Sequence, residues 1–456
     1  DTFGNLIKKS VCAKDNPTPS KVESWTYDSQ NRIISAVDAH GKKTTFSYSP
    51  HKITCKTEAG LEIESIYSSR KLLLTKSVTD TRTGEKRRYH YDYDRNKNCI
   101  AQYISGKDVK GKEIPKTKLY DFTYTDGGKN QQIVTYAGAL NSGNNFCSEF
   151  EYGAHGRVAR SQQGFYALDT ESFVSSAFDM DYLFEHNAYG LLSTVRTDDG
   201  LIKTIQENAD GKIISETENG IERKQFEYSP AGRLLRQKTE NSGVYEYRYD
   251  SAGFCEGWRE VGGTLSSFSK STYYPDGKKK SSTDRNGMVT HYVYDEFSHV
   301  IEEYSRAGTK IWNYDALGRL IRFAVLDATG KILTEDRWNY VDRIVTHYSG
   351  SAYVEAIELN SFGEIISITD GCGNKTLYIH DIFGRVIEEK NANGGTIVTA
   401  YNALNQVAKC TFPDGSFLSY AYDEKGNCIE ARDAQGLLWQ KTFDGFSRVK
   451  TYSARP

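Results

Sequence analysis

A seven-residue frame recurs along this chain at a fixed step. It reads Tyr314-Asp315-Ala316-Leu317-Gly318-Arg319-Leu320, then His380-Asp381-Ile382-Phe383-Gly384-Arg385-Val386, then Tyr422-Asp423-Glu424-Lys425-Gly426-Asn427-Cys428. Tyr228-Ser229-Pro230-Ala231-Gly232-Arg233-Leu234 is another copy. Looser ones start at Tyr27, Tyr93, Tyr152, His186, Glu207, Tyr249, Tyr294, Trp338, Leu359, Tyr401 and Phe443. The starts at 338, 359, 380, 401, 422 and 443 lie 21 residues apart, as do those at 186, 207, 228 and 249. Such a period marks a repeat architecture, in which each unit buries a face only by packing on the next.

The frame has a physical meaning. Asp, two free residues and then Gly spell a type I turn that ends in a left-handed residue. In a hairpin this is the three-residue loop with a glycine bulge. Counting the Tyr as the first residue, the fifth is Gly at 156, 190, 211, 232, 253, 318, 363, 384 and 426. Elsewhere it is Asn31, Ser298, Asp342, Asn405 or Ser447. Asn and Asp tolerate positive φ best after Gly. The seventh residue is nearly always apolar, as at Ile33, Leu234, Leu320 and Val386. Cys99, Cys255 and Cys428 share that slot and read as small buried hydrophobes rather than disulfide partners.

Second turns such as Asp284 to Gly287, Asp327 to Gly330 and Asn391 to Gly394 separate the frames, so each unit is strand, turn, strand, turn. The strand entering the frame carries two aromatic residues at period two, as in Trp25/Tyr27, Phe226/Tyr228, Trp312/Tyr314 and Tyr420/Tyr422. Both rings then share one sheet face. Ring-on-ring contacts between successive hairpins are the expected glue, and an exposed aromatic ladder for sugars is the rival use. One hairpin alone is marginal in water, and sheet twist curls a growing strip. The predicted fold is all-β: tandem antiparallel hairpins of about 21 residues in a curled, spiralling strip.

Composition agrees with a thin structure. Only 38% of residues are hydrophobic while 26% are charged, too few aliphatics for a thick two-layer interior. A net charge of −2 gives no broad pull toward nucleic acid or anionic membrane. No stretch reaches the ~20 apolar residues of a membrane span. The eight cysteines include no C-x-x-C pair. Neither H-E-x-x-H, G-x-S-x-G nor a phosphate-binding loop occurs. Asp315, Asp381 and Asp423 recur at the turn position unit after unit, which is turn chemistry rather than a carboxylate pair for catalysis. No catalytic, cofactor-binding or metal-binding residue is assigned, and the chain is expected not to be an enzyme.

Residues 1–456 read as one continuous strip. The opening resembles the tail of a repeat and lacks an initiator Met, so a piece of a longer polypeptide is expected. Residues 1–150 are irregular, with polar loops expected at 105–112 and 138–145, whereas 151–456 are regular apart from an insertion at about 161–181. Insertions in repeats often line a binding face. Phe165, Tyr166, Phe173 and Phe178 are therefore candidates to touch cargo, a cap or another chain, against the plainer reading of longer hairpins packed on the wall.

These Tyr-Asp-x-x-Gly-Arg-Leu units resemble the YD repeats of the Rhs family. That family includes bacterial polymorphic toxins, the B and C components of insecticidal toxin complexes, wall-associated proteins and animal teneurins. The resemblance implies a hollow shell of spiralling β-strip, which in toxin members encloses a cytotoxic C-terminal domain. It implies a structural wall segment, secreted or at the cell surface of a bacterium. Partners would be an encapsulated toxin or other cargo polypeptide and the remaining shell segments of the parent. An adhesin module binding glycan or protein is the alternative. The toxin members end their repeats in an Asp-Pro-containing self-cleaving segment, and no Asp-Pro dipeptide occurs here, so no self-cleavage residue is assigned.

Overall fold

The computed structural model describes residues 1–12, 19–136, 145–153, 156–167, 172–173, 180–240, 243–261, 269–284, 286–402, 404–423 and 425–455. Among the described residues there are 40 strands and no α-helix. Each strand pairs antiparallel with its successor, from Lys8–Cys12 with Pro19–Tyr27 to Gly436–Phe443 with Val449–Ala454. One place departs from this order: Val158–Ala167 pairs with both Ser172–Phe173 and Met180–His186. No pairing joins the first strand to the last, so the single sheet stays open among the described residues. The all-β strip expected from the repeat is what forms.

The frame sets the register. The ladder shifts at the frame's first residue, as between Asn313 and Tyr314, Ile379 and His380, and Ala421 and Tyr422. The fifth residue then takes positive φ: 75° at Gly232, 78° at Gly318, 83° at Gly384 and 84° at Gly426. Asn31, Ser298, Asn405 and Ser447 do likewise, at 60–73°. Residues 1–150 hold more frames than their irregular spacing suggested. Lys71, Lys97 and Gly128 occupy the same left-handed slot, after Tyr67, Tyr93 and Tyr124. A non-glycine residue there costs roughly 1–2 kcal/mol of backbone strain.

Three expectations need correction. The frame placed at Trp338 is shifted by two residues. Ile332–Val341 runs on to pair Val341 with Ile344, leaving a two-residue turn at Asp342-Arg343, and Tyr340 takes the frame's first place. Ser105, Gly106 and Lys107 are strand rather than loop, since Cys99–Lys107 pairs with both neighbours through Lys107. Cys99, Cys255 and Cys428 are only half-buried free thiols. Each points its sulfur at a carbonyl two residues on, at 3.6–3.7 Å.

The wall is one sheet thick. A compact protein of 51.4 kDa would expose about 17,000 Å², whereas this chain exposes 26501 Å². Among the described residues, large side chains with almost no exposure are few, Ile104, Asp80 and Cys147. Two of them, Ile104 and Asp80, lie on the irregular hairpins of residues 73–107.

Candidate functional site

Two arrangements organise the strip: a column that ties each frame to the next, and a seam where the strip meets itself. The column begins with the frame Asp. Asp315 Oδ1 accepts the backbone N–H of Leu317 and of Arg319, both at 2.9 Å, and Oδ2 accepts Arg319 Nε at 2.6 Å. Asp381 holds Phe383, Arg385 and the Arg385 guanidinium in the same way. At Asp423 the side-chain partner is Asn427, at 2.9 Å, and in the frame of Tyr228 the Ser229 hydroxyl accepts the Arg233 N–H at 3.0 Å.

The sixth residue then covers the next frame's Tyr. Arg385 Cζ lies 4.6 Å from the Tyr401 ring centre, Arg319 Cζ 4.3 Å from Tyr340, and Arg233 Cζ 5.8 Å from Tyr249. Lys212 Nζ sits 5.3 Å over Tyr228. That Tyr hydroxyl in turn donates to the carbonyl of the preceding frame's seventh residue. The distances are 2.8 Å for Tyr401 to Val386 and for Tyr422 to Val407, 2.7 Å for Tyr249 to Leu234, and 3.3 Å for Tyr314 to Val300. Burial pushes the Tyr422 hydroxyl up to about 12, so it stays a donor. Ring-on-ring contacts between frames, the expected glue, occur at fewer places, such as Phe254–Tyr273 and Tyr274–Tyr294. Cation and hydroxyl contacts carry the join instead. The signal was present in the frame, which prefers Tyr over Phe first and a cation sixth.

The seam joins residues 230–279 apart in sequence. Most of these contacts set a turn between frames from the earlier part against a frame turn from the later part. The strip therefore winds back on itself after about twelve hairpins, and opposite rims of successive turns meet. His40 Nε2 approaches Asp315 Oδ2 at 3.4 Å. Arg82 forks onto Asp342 at 2.8 and 3.2 Å. Arg343 reaches back to Asp80 at 3.0 Å and to Ser361 at 2.7 Å. Lys110 pairs with Glu388 at 3.1 Å.

The centre of this seam is a triad in which Arg87 and Glu85 are buried and Glu364 is half-buried. Arg87 makes a two-pronged contact with Glu364, 2.7 Å on each prong, and a third bond to Glu85 at 2.9 Å. Its Cζ lies 3.9 Å from the Phe362 ring centre. Asp80, Glu85, Arg87, Asn360, Asp381 and Ile382 are all buried. Gly106 is required here, because a Cβ would lie 1.9 Å from the Lys86 carbonyl and 3.1 Å from Ile382 Cδ1.

The carboxylates respond to this burial in opposite senses. Burial pushes Glu364 up, but hydrogen bonds from Arg87 and Asn360 outweigh it and hold the group below its ordinary value. Asp80 is likewise held low by Ser361, the Arg82 backbone and Arg343 against its burial. Glu85 has only one oxygen on Arg87, so burial wins and its carboxyl is raised.

A second stretch of seam follows. Gly445 N–H donates to Asp199 at 2.8 Å, Tyr182 donates to the Gly445 carbonyl at 3.3 Å, and Arg448 forks onto Glu218 at 2.7 and 2.8 Å. Burial raises Tyr182 to about 12. A charged groove of about 550 Å³ opens beside it, lined by Lys203, Glu216, Arg223, Lys224, Phe446 and Arg448.

Of the candidate contact residues, Phe165 is half-buried in the wall strand, paired with Phe146. The backbones of Tyr166 and Phe173 pair with each other. Phe178 lies outside the described residues. No helix among the described residues is long and apolar enough to cross a membrane, which leaves β-barrels unaddressed.

No protein-family model matches the chain. A stretch of 83 residues is 30% identical to double-stranded DNA deaminase toxin A of Burkholderia cenocepacia (strain H111), covering 18% of this chain and 6% of that protein. Among solved structures, the chain is similar to the Photorhabdus luminescens Tc holotoxin pore, at 12% identity over 96% of this chain and 30% of that one, with a TM-score of 0.36. A TcdB2–TccC3 complex is similar at 13% identity over 96% and 31%, with a TM-score of 0.28. The chain thus spans less than a third of each solved chain, and overlap at these TM-scores decides neither role nor partner.

Proposed function

We propose that this chain is a non-enzymatic wall segment of a secreted bacterial YD-repeat shell that encloses a toxin or other cargo polypeptide. The observation that carries this reading is the rim-to-rim seam. A strip one sheet thick, locked edge to edge across turns by Arg87 and its carboxylates, is built as a wall rather than around a core. The Tyr hydroxyls of the column are spent on backbone carbonyls, which leaves them poorly placed to serve as a ladder for sugars. The shifted carboxyls at the seam are explained by burial and ion pairing within the wall, so no catalytic role is needed to account for them.

Electron microscopy of the chain beside its full-length parent tests the proposal. A closed shell with density inside the parent is expected, with this chain as an arc of its wall. A solid rod or an open ribbon in the parent would overturn it.

A further inference from the structure

The frame rim of residues 61–99 carries an unusual pair of turns. In the frames of Tyr67 and Tyr93 the left-handed fifth position is held by Lys71 (φ 63°) and Lys97 (φ 73°). Gly is the usual residue in this position, and a lysine held there carries backbone strain. Arg70 stands beside Lys71, and Arg95 lies two residues before Lys97. All four side chains are exposed, and none makes an ion pair or hydrogen bond among the described residues. The two turns belong to neighbouring hairpins, Leu61–Tyr67 with Leu73–Asp80 and Lys86–Tyr93 with Cys99–Lys107. They therefore stand about 10 Å apart along the rim.

The seam shows what such positions do. Ile382 is third in its frame, Phe362 and Phe446 are fourth, and Glu364 and Arg448 are sixth; these are the loop positions that meet a facing rim. Arg70 is fourth, Arg95 third, and Lys71 and Lys97 fifth. Two cations on the later side of the seam take carboxylates from the facing turn: Arg448 forks onto Glu218 and Arg343 reaches Asp80.

We propose that Arg70, Lys71, Arg95 and Lys97 form a docking ridge for a second polypeptide rim that presents carboxylates, in the manner of Arg448 and Glu218. The ridge depends on seam geometry and not on what the wall encloses, so it stands or falls separately from encapsulation. Charge complementarity at such a rim acts mainly on encounter and register, and its loss shows as weaker, less salt-sensitive binding.

The test uses the whole chain and three probes: poly-L-glutamate, a single-stranded DNA oligonucleotide and phosphatidylserine vesicles. Lys71→Gly/Lys97→Gly removes two cations while relieving the left-handed lysines, so folding is not put at risk. Poly-L-glutamate is expected to bind the wild type in low salt, with affinity falling about tenfold or more in the double variant and unchanged in Lys390→Gln. Equal binding by wild type and double variant, or no binding of poly-L-glutamate, would overturn the proposal. So would a lysine-dependent preference for the oligonucleotide or the vesicles.

Discussion

Residues 315–388 and residues 38–112 share one hairpin fold and differ in how they use their turns. In the later segment the frame turns do two jobs: Asp315 and Asp381 close their loops and Arg319 and Arg385 reach forward to the next Tyr, while Asp315, Asp342, Arg343 and Glu364 also meet the facing rim. In the earlier segment the turns between frames carry groups that match a distant partner, His40, Arg82 and Lys110, and Arg87 stands just inside one such turn. A repeat can stay regular where it matches only its neighbour. Where it matches something a full turn away, single side chains on its turns carry the match.

If this contrast is right, equivalent arginines have unequal worth. Arg87→Ala leaves the buried Glu85 and the half-buried Glu364 without their cation and is expected to cost about 3–5 kcal/mol. Arg32→Ala removes a partly exposed pair with Asp28 within one loop, away from the seam, and is expected to cost about 1 kcal/mol or less. Urea denaturation of both variants measures the difference. Equal losses would mean that the seam is not the stronger join.

Acid sharpens the same contrast. Glu364, Asp80, Asp342 and Glu218 are all held below their ordinary values, by Arg87 and Asn360, by Ser361, the Arg82 backbone and Arg343, by Arg82, and by Arg448. A carboxyl lowered by folding adds stability that is complete above its unfolded value and is lost as pH falls through its folded value. The seam should therefore weaken progressively as pH drops below 4.5 and then 3.8, the ordinary Glu and Asp values. Glu85 is raised and acts in the opposite sense, since protonating it on the way down relieves its burial. Hydrogen exchange followed by mass spectrometry should show residues 80–87 and 360–364 losing protection before the strands of 396–422 do. Simultaneous loss would place the acid-sensitive groups elsewhere.

The strip was legible because its turn chemistry is local. Asp, two free residues and Gly fix a loop whatever lies beyond it, and the left-handed residues fall where the frame places them, at Gly318 and Asn405 alike. The column was half legible. The aromatic pairs were visible, but the hydroxyl bond from Tyr401 to Val386 follows only once the stagger between hairpins is known. The seam was not legible at all. Nothing local in Arg87 or Glu364 announces that they meet, because their contact depends on curvature accumulated over 277 residues. The same applies to the shifted frame at Trp338, where the extra length of Ile332–Val341 moves Tyr340 into place and leaves Asp342 and Arg343 free to face Arg82 and Asp80.

The column offers a smaller effect. Tyr422→Phe removes a hydroxyl that donates to the Val407 carbonyl at 2.8 Å and is expected to cost about 1 kcal/mol. Tyr228→Phe is the matched control, because the Tyr228 hydroxyl makes no such bond among the described residues while its ring is still covered by Lys212. The two variants should differ in urea midpoint with unchanged slope. Identical midpoints would reduce the column to ring packing alone.

The smallest effect concerns the left-handed slot itself, and it separates strain from contact. Ser298 sits at φ 73° with its side chain exposed, so Ser298→Gly trades backbone strain against the extra freedom that Gly gives the unfolded chain. The net gain should be about 0.5 kcal/mol. Gly318→Ser makes the reverse change one frame later, at φ 78°, where a Cβ would meet the His299 ring at 3.1 Å. It adds crowding to strain and should cost more than Ser298→Gly gains. Thermal melts of both variants and their combination read this directly. If the two shifts are equal and opposite, backbone conformation alone sets the slot. If the loss at 318 is larger, the sixth residue of the preceding frame is also part of what keeps that position glycine.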